Sequence, residues 1–322
     1  MNVPECKELR EELEASVKRN ISSAIMLSGG LDSSIVASIA SRFADLTGIT
    51  ITYDTAPDLR YAQIMARKCS IEHIVQNLNN DELEHAVENV IRIMHTFDPM
   101  EVRNTVVIYC SLKALKERCF SSVMTGDGGD ELFAGYNYLV KFDPEKIEDE
   151  LKRLWGIMHF SSFAVGKELN VDIKAPFLDE RFVEFAKKIP VMLKVREEND
   201  RKWGKWILRK CFQDDVTADI AWRAKTPLEQ GAGTSALAQH FTSDDFDEKV
   251  RLYAEESVKI RDREHLHYYE TYRKFFGPPK ENPCKVRCPA CQGCVEVSAR
   301  FCRTCGAYPI NAARIAQSDR SV

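Results

Sequence analysis

The sequence predicts an α/β fold: a parallel sheet covered by helices, then a helical C-terminal part and a small cysteine-rich metal module. Three observations carry this reading. Short apolar runs alternate with helical stretches from about residue 22 to 140. Two of those runs end in glycine-rich turns, Ser28-Gly29-Gly30-Leu31-Asp32-Ser33-Ser34 and Thr125-Gly126-Asp127-Gly128-Gly129-Asp130-Glu131. Six of the eleven cysteines lie between Cys284 and Cys305.

Taken in order, residues 1–21 form an N-terminal helix, because Leu9, Leu13 and Val17 recur at one-turn spacing in a charged segment. That segment lacks the apolar core of a signal peptide. Strands follow at Ala24–Leu27, Ile49–Tyr53, His73–Leu78 and Ser122–Thr125. Helices fill the gaps at Ser33–Ala44, Leu59–Lys68, Glu82–His95 and Asn104–Arg118. Such alternation builds a parallel sheet buried on both faces, with ligands beyond the carboxyl ends of its strands. This core spans about 22–140. Strand signals fade after Pro144, and Glu145–Trp155, Glu180–Lys188, Trp203–Phe212 and Asp262–Phe275 read as helices of a part running 141–276. Gly277-Pro278-Pro279 is a breaker and a linker. The metal module occupies 284–310, and the polar tail 311–322 is expected to fray.

Composition narrows the function classes. A hydrophobic share of 44% with 29% charged residues is that of an ordinary globular domain. A net charge of -4 excludes a global basic field for nucleic acid, though not a local patch. No apolar run reaches membrane-span length, so no membrane partner is expected and the cytoplasm is the default location. Cys6, Cys69, Cys110, Cys119 and Cys211 are scattered and read as reduced, mostly buried thiols.

The chemistry sits in the two glycine loops. A strand–glycine turn–helix aims free backbone N–H groups and a helix dipole at one point, a place for phosphate. Gly29 and Gly30 permit close approach, and Ser28, Ser33 and Ser34 add hydroxyls. Asp32 would repel phosphate unless a cation lies between, so the turn points to a nucleotide with Mg²⁺. Asp130, in the second loop, would be the other carboxylate on that ion. Gly126 and Gly128 give this loop the same closeness. An ordinary capped turn is the plain alternative for either loop alone.

The pair SGGLDSS and GDGGDELFAGY resembles the synthetase domain of asparagine synthetases, within the PP-loop ATP pyrophosphatases (the adenine nucleotide alpha hydrolase-like fold). Further segments extend the resemblance from Ala24 to Gly233: Ala175-Pro176-Phe177-Leu178-Asp179, Lys205-Trp206-Ile207-Leu208-Arg209 and Ile220-Ala221-Trp222-Arg223-Ala224-Lys225. The resemblance implies an ATP-dependent amide-forming ligase. A carboxylate, aspartate by default, is adenylated with release of pyrophosphate, and ammonia then attacks the acyl-adenylate. It implies ATP binding by Leu27, Ser28, Gly29, Gly30, Asp32, Ser33, Ser34, Tyr53, Gly126 and Gly128, with Leu27 and Tyr53 flanking the adenine. It implies Mg²⁺ on Asp32 and Asp130. Lys205 would neutralise charge on the pyrophosphate or α-phosphate, and Asp127 would orient or deprotonate ammonia. Arg103 would serve the acceptor site. Core packing for Leu27 and Tyr53, and solvated positions for Lys205 and Arg103, are the alternatives.

Three departures qualify the resemblance. The family's glutamine-using type begins with a glutaminase domain and a cysteine at its processed N-terminus. Here position 2 is Asn2 and some twenty residues precede the first strand, so ammonia is expected free or from a separate glutaminase partner. Val171-Asp172-Ile173-Lys174 stands where the family shows Glu and Arg, and lysine does not reproduce an arginine fork. Finally, Cys288-Pro-Ala-Cys291 and Cys302-Arg-Thr-Cys305 have the spacing of a structural Cys₄ zinc ribbon that folds around its ion. Cys284 and Cys294 leave other pairings open, and an iron–sulfur cluster is the minor alternative. Lys285, Arg287, Arg300 and Arg303 make the ribbon basic. This keeps a second function open: a tRNA-modifying enzyme that adenylates a base, with the ribbon on RNA and Cys110 or Cys119 as sulfur carrier.

Overall fold

A computed structural model describes residues 5–198, 200–281, 284, 286–297 and 299–311. The chain forms two compact units. The first joins residues 1–77 to 111–232, and the second joins 78–110 to 233–322. This grouping cuts across the expected order of a core at 22–140, helices at 141–276 and a ribbon at 284–310. The cysteine module does not stand alone but clusters with residues 78–110 and 233–276.

In the first unit, α1 (Glu5–Arg19) leads into β1 (Ala24–Met26), α2 (Leu31–Ala40), β2 (Thr47–Thr52), α3 (Leu59–Lys68) and β3 (Glu72–Asn77). The chain passes through the second unit as α4 (Asn80–Met94) and the start of α5 (Pro99–Glu117). It returns with β4 (Ser122–Met124), α6 (Gly129–Leu132), α7 (Pro144–Ile157), α8 (Ser161–Leu169) and β5 (Asp172–Lys174). Next come α9 (Glu180–Lys188), α10 (Val191–Lys194), an antiparallel hairpin of β6 (Val195–Glu198) and β7 (Arg201–Gly204), α11 (Trp206–Val216), α12 (Ala218–Ala221) and α13 (Leu228–Ala232). The sheet is parallel with order β3-β2-β1-β4-β5. The order reverses between β1 and β4, which opens the crevice where such sheets take ligands.

The core of this unit explains the patterning. Leu9, Leu13 and Val17 of α1 are fully buried with Ile25, Leu27, Ile35, Val36 and Ile39, as the one-turn spacing predicts. Two expectations need correction. Strands do occur after Pro144: β5 extends the sheet, with Val123 beside Ile173, and the β6–β7 hairpin replaces the start of the helix expected from Trp203. Also, Cys6 and Cys211 are not reduced thiols but a disulfide (S–S 1.96 Å, Cα–Cα 5.3 Å). The packing of α1 on α11 brings them together. Arg10 of α1 pairs there with Asp215 at 2.5 Å and lies over the Phe212 ring.

The second unit is helical. The helices α14 (Leu237–His240) and α15 (Phe246–Glu255) pack with α4 on α16 (Arg263–Arg273). Phe97 sits within 5.2 Å of the His265, Tyr269 and Tyr272 rings. Of the scattered cysteines expected to be mostly buried, Cys110 is buried, whereas Cys119 is exposed beyond the end of α5. No described helix is long and apolar enough to cross a membrane. Asn2, Lys285 and the tail from residue 312 lie outside the described residues.

Candidate active site

The loops after β1 and β4 meet at the crevice. A methyl group on Gly126 would lie 2.8 Å from Ser33 N and 3.0 Å from Asp32 Cβ, so only glycine lets the second loop press on the start of α2. In the first loop, the hydroxyls of Ser28 and Ser33 are 2.9 Å apart, and Gly30 N donates to Ser28 Oγ at 3.3 Å. Gly30 is the N-cap of α2 and offers no side chain to its first amides, which leaves the positive end of the helix uncapped. Ser34 Oγ and Asp32 Oδ1 are buried without a hydrogen-bond partner among the described residues.

Four charged residues from four segments converge here, Asp32, Asp130, Lys205 and Lys225. Lys205 Nζ bonds to Asp32 and lies 2.7 Å from Asp130 Oδ1. Lys225 Nζ reaches the same Asp130 oxygen at 2.6 Å. Lys205 is the N-cap of α11 in a left-handed conformation (φ 56°), not a residue on a helix face as expected. The β6–β7 hairpin delivers it, and its N–H donates to Phe133 O of the second loop at 2.8 Å. The side chain is 5% exposed. Burial opposes its charge, but Asp130 and Asp32 outweigh burial and hold it above the usual lysine value. Burial also opposes the charge on Asp130. The ammonium groups of Lys205 and Lys225 overcome it and hold that carboxyl well below its usual range. For Asp32, burial wins over Lys205 and the value is raised. One shared ammonium does not fully serve two buried carboxylates. Two converging carboxylates, one with an unsatisfied oxygen, and nearby hydroxyls are the hard donors that fit Mg²⁺.

Asp127 lies beside this cluster. Thr125 Oγ1 and Ser162 Oγ both donate to its Oδ2, at 2.9 and 2.6 Å. Burial pushes its carboxyl up, and the two hydroxyls offset part of that. A second pair supports the first loop. The Arg223 guanidinium grips Asp58 with two bonds of 2.6 Å, lies over the Tyr61 ring and donates to Gly29 O at 3.3 Å.

The structure thus brings together Ser28, Gly29, Gly30, Asp32, Ser33, Ser34, Gly126, Asp127, Gly128, Asp130 and Lys205. Leu27 goes to the core, fully buried. Its N–H bonds to Ile49 O and its carbonyl to Thr50 Oγ1. Tyr53 is half-buried, with its N–H on Ala232 O. Arg103 belongs to the second unit, where it pairs with the buried Glu264, Nε donating to Oε1 at 2.7 Å. Lys225 and Arg223 lay in a segment the sequence singled out without giving them roles. Asp58 and Ser162 are isolated polar residues with no motif around them.

Among the described residues, the second unit holds four cysteines that could ligate a metal ion. The Sγ atoms of Cys288, Cys291, Cys302 and Cys305 lie within 4.8 Å of one another, all buried. Cys288–Cys305 and Cys291–Cys302 are each 3.8 Å apart. Four thiolates at about 2.3 Å around one tetrahedral ion have edges of about 3.8 Å. The group therefore fits a single ion, and it is too tight for thiolates spread around several irons. Cys284 turns its thiol to Val286 O and Cys294 is exposed, so neither belongs to the set.

Comparison with known proteins places the chain in a family. The family model described as asparagine synthase matches residues 8–169 and 164–276. Asparagine synthetase B (glutamine-hydrolyzing) of Escherichia coli (strain K12) is 28% identical over 313 residues, covering 88% of this chain and 56% of that protein. A probable asparagine synthetase of Dictyostelium discoideum is 27% identical over 343 residues, covering 95% of this chain and 58% of that protein. The chain spans little more than half the length of these relatives. A solved NMN synthetase from Francisella tularensis overlaps 85% of this chain and 94% of its own at a TM-score of 0.41, with 14% identity.

Proposed function

Because the chain belongs to the asparagine synthase family, we propose that it is an ATP-dependent ligase that converts a carboxylate, aspartate by default, into an amide with release of AMP and pyrophosphate. The observation that carries this is the meeting of the two loops at the strand reversal, with Lys205 joined to both Asp32 and Asp130. Ser28, Gly29, Gly30, Ser33 and Ser34, with the uncapped start of α2, bind the pyrophosphate part of ATP. Mg²⁺, when held by Asp32 and Asp130, neutralises phosphate charge. Lys205 and Lys225 add fixed positive charge where negative charge develops as pyrophosphate departs. Binding the acceptor carboxylate in line with the α-phosphate turns a bimolecular step into an effectively intramolecular one. Asp127, raised by burial, orients the attacking ammonia or takes up its proton. Ammonia is supplied free or by a separate glutaminase. We further propose that the four buried thiolates hold one structural Zn²⁺.

The test incubates the full chain with ATP, Mg²⁺, ammonium and aspartate, and measures AMP, pyrophosphate and asparagine. Aspartate-dependent AMP, abolished by Lys205→Ala and by Asp32→Asn, is the expected result. ADP instead of AMP, or AMP that forms only with added tRNA, defeats the reading.

A further inference from the structure

The two cysteine knuckles present their backbone carbonyls to two other segments of the second unit. Thr96 Oγ1 donates to Arg303 O at 2.7 Å, and Phe97 N donates to Thr304 O at 2.8 Å. Arg261 donates to Cys305 O at 2.8 Å and to Gly306 O at 3.0 Å. Lys259 N donates to Ala290 O at 2.8 Å. Gly306, at φ +72°, packs so closely that an added methyl would meet Asp98 Oδ1 at 2.1 Å. The first knuckle therefore holds residue 259. The second holds residue 261 and residues 96–98.

Those two segments launch helices. Residues 96–98 precede α5 and residues 259–261 precede α16. One turn or so further on, the helices exchange the Arg103–Glu264 pair, whose carboxylate is 2% exposed. Phe97, stacked on His265 at 5.2 Å, fills the space between the helix starts. Backbone bonds close each knuckle by itself, from Cys288 N to Gly293 O and from Gly306 N to Cys302 O, but a shared ion is what would hold four buried thiols of two turns at 3.8 Å contact, since so small a module has little core. The carbonyls that hold both helix starts belong to those turns.

We propose that the metal in the Cys₄ centre sets the register between the starts of α5 and α16, and thereby positions the Arg103–Glu264 pair. The centre is then a positioning element for this unit rather than a detached ribbon. The inference rests on the reading of the four thiolates as a zinc site. It does not rest on the ligase assignment.

The test uses the full chain, with metal analysis and amide hydrogen exchange followed by mass spectrometry. Wild type should carry one equivalent of zinc. Cys302→Ser should lose it, with protection lost in peptides covering 97–106 and 261–272 and kept in 47–52 of the first unit. Thr96→Val leaves all four ligands intact. It removes the hydroxyl that donates to Arg303 O and accepts from Asp98 N, so it should keep its zinc and raise exchange beyond that local amide, at 101–106, by about fivefold, as expected for a loss of about 1 kcal/mol. Absence of metal, or iron in its place, overturns the zinc reading and the inference with it. Zinc loss that leaves 97–106 unchanged overturns the register role alone. Should Cys302→Ser fail to fold, Thr96→Val decides: zinc retained with raised exchange supports the proposal, and unchanged exchange defeats it. Expected zinc and exchange results without amide formation would count against the ligase and leave this inference standing.

Discussion

Asp127 shows how single atoms tune the proposed chemistry. Its carboxylate is buried, which raises its pKa, while Ser162 and Thr125 both hydrogen-bond Oδ2 and favour the charged form. A base of this kind works only when deprotonated, so activity should fall on the acid side as pH drops through its raised value. Removing a donor to the charged form raises the value further. Ser162→Ala should therefore move the acid limb of kcat/KM to higher pH and leave the plateau nearly unchanged. Asp127→Asn should abolish that limb and cost about 10²–10⁴ in rate. An unmoved limb in Ser162→Ala would show that another group titrates there. The spacing of GDGGDE made Asp127 and Asp130 legible as candidates. Nothing in the sequence indicated which would carry the raised value, because that depends on whether hydroxyls or ammonium groups face each carboxylate.

At the scale of elements, the sheet was legible and the delivery of Lys205 was not. Apolar strands ending in glycine turns carry a strong periodic signal, and β1, β2, β3 and β4 form within one or two residues of where the sequence puts them. Strand β5 has three residues, and β6 and β7 have four each, too few for alternation to stand out from the charged residues around them. Only tertiary pairing makes them strands. The consequence is functional, since a helix through Trp203 would carry Lys205 on a face, whereas the hairpin ends in a left-handed residue that turns it onto both acids. The Arg223–Asp58 fork acts at the same scale by linking the segment after α12 to the start of α3 and to Gly29 O. Arg223→Lys keeps the charge, so Asp58 is not left unpaired, but it loses the planar two-point grip. The first loop should then bind phosphate less well. KM for ATP is expected to rise about tenfold, with kcat and the melting temperature little changed. A fall in kcat at constant KM would place Arg223 in the chemical step instead.

Across the whole chain, the eleven cysteines offer a single check on both units. The sequence separated them into a crowded and a scattered set, and the paired spacing favoured the four that meet while leaving Cys284 and Cys294 open as alternatives. Spacing carried no trace of the bond between Cys6 and Cys211, because those residues are 205 positions apart and meet only through the packing of α1 on α11. A bond closing so long a loop stabilises by about 5 kcal/mol in the chain-entropy description. It also bears on location, since lasting disulfides belong to oxidising surroundings while the default expectation is the reducing cytoplasm. Thiol titration separates the states. In the native protein, the exposed Cys119 and Cys294 should react first, while the four clustered thiols are masked by burial and, on the proposal above, by zinc. Denaturation with a chelator but no reductant should expose the nine thiols outside the disulfide. Prior reduction should bring the total to the full eleven. Eleven thiols without reduction would mean that Cys6 and Cys211 stay reduced. The contact of α1 with α11 would then rest on the Arg10–Asp215 pair, the Phe212 ring and the shared apolar core of Leu9, Leu13, Leu208 and Val216.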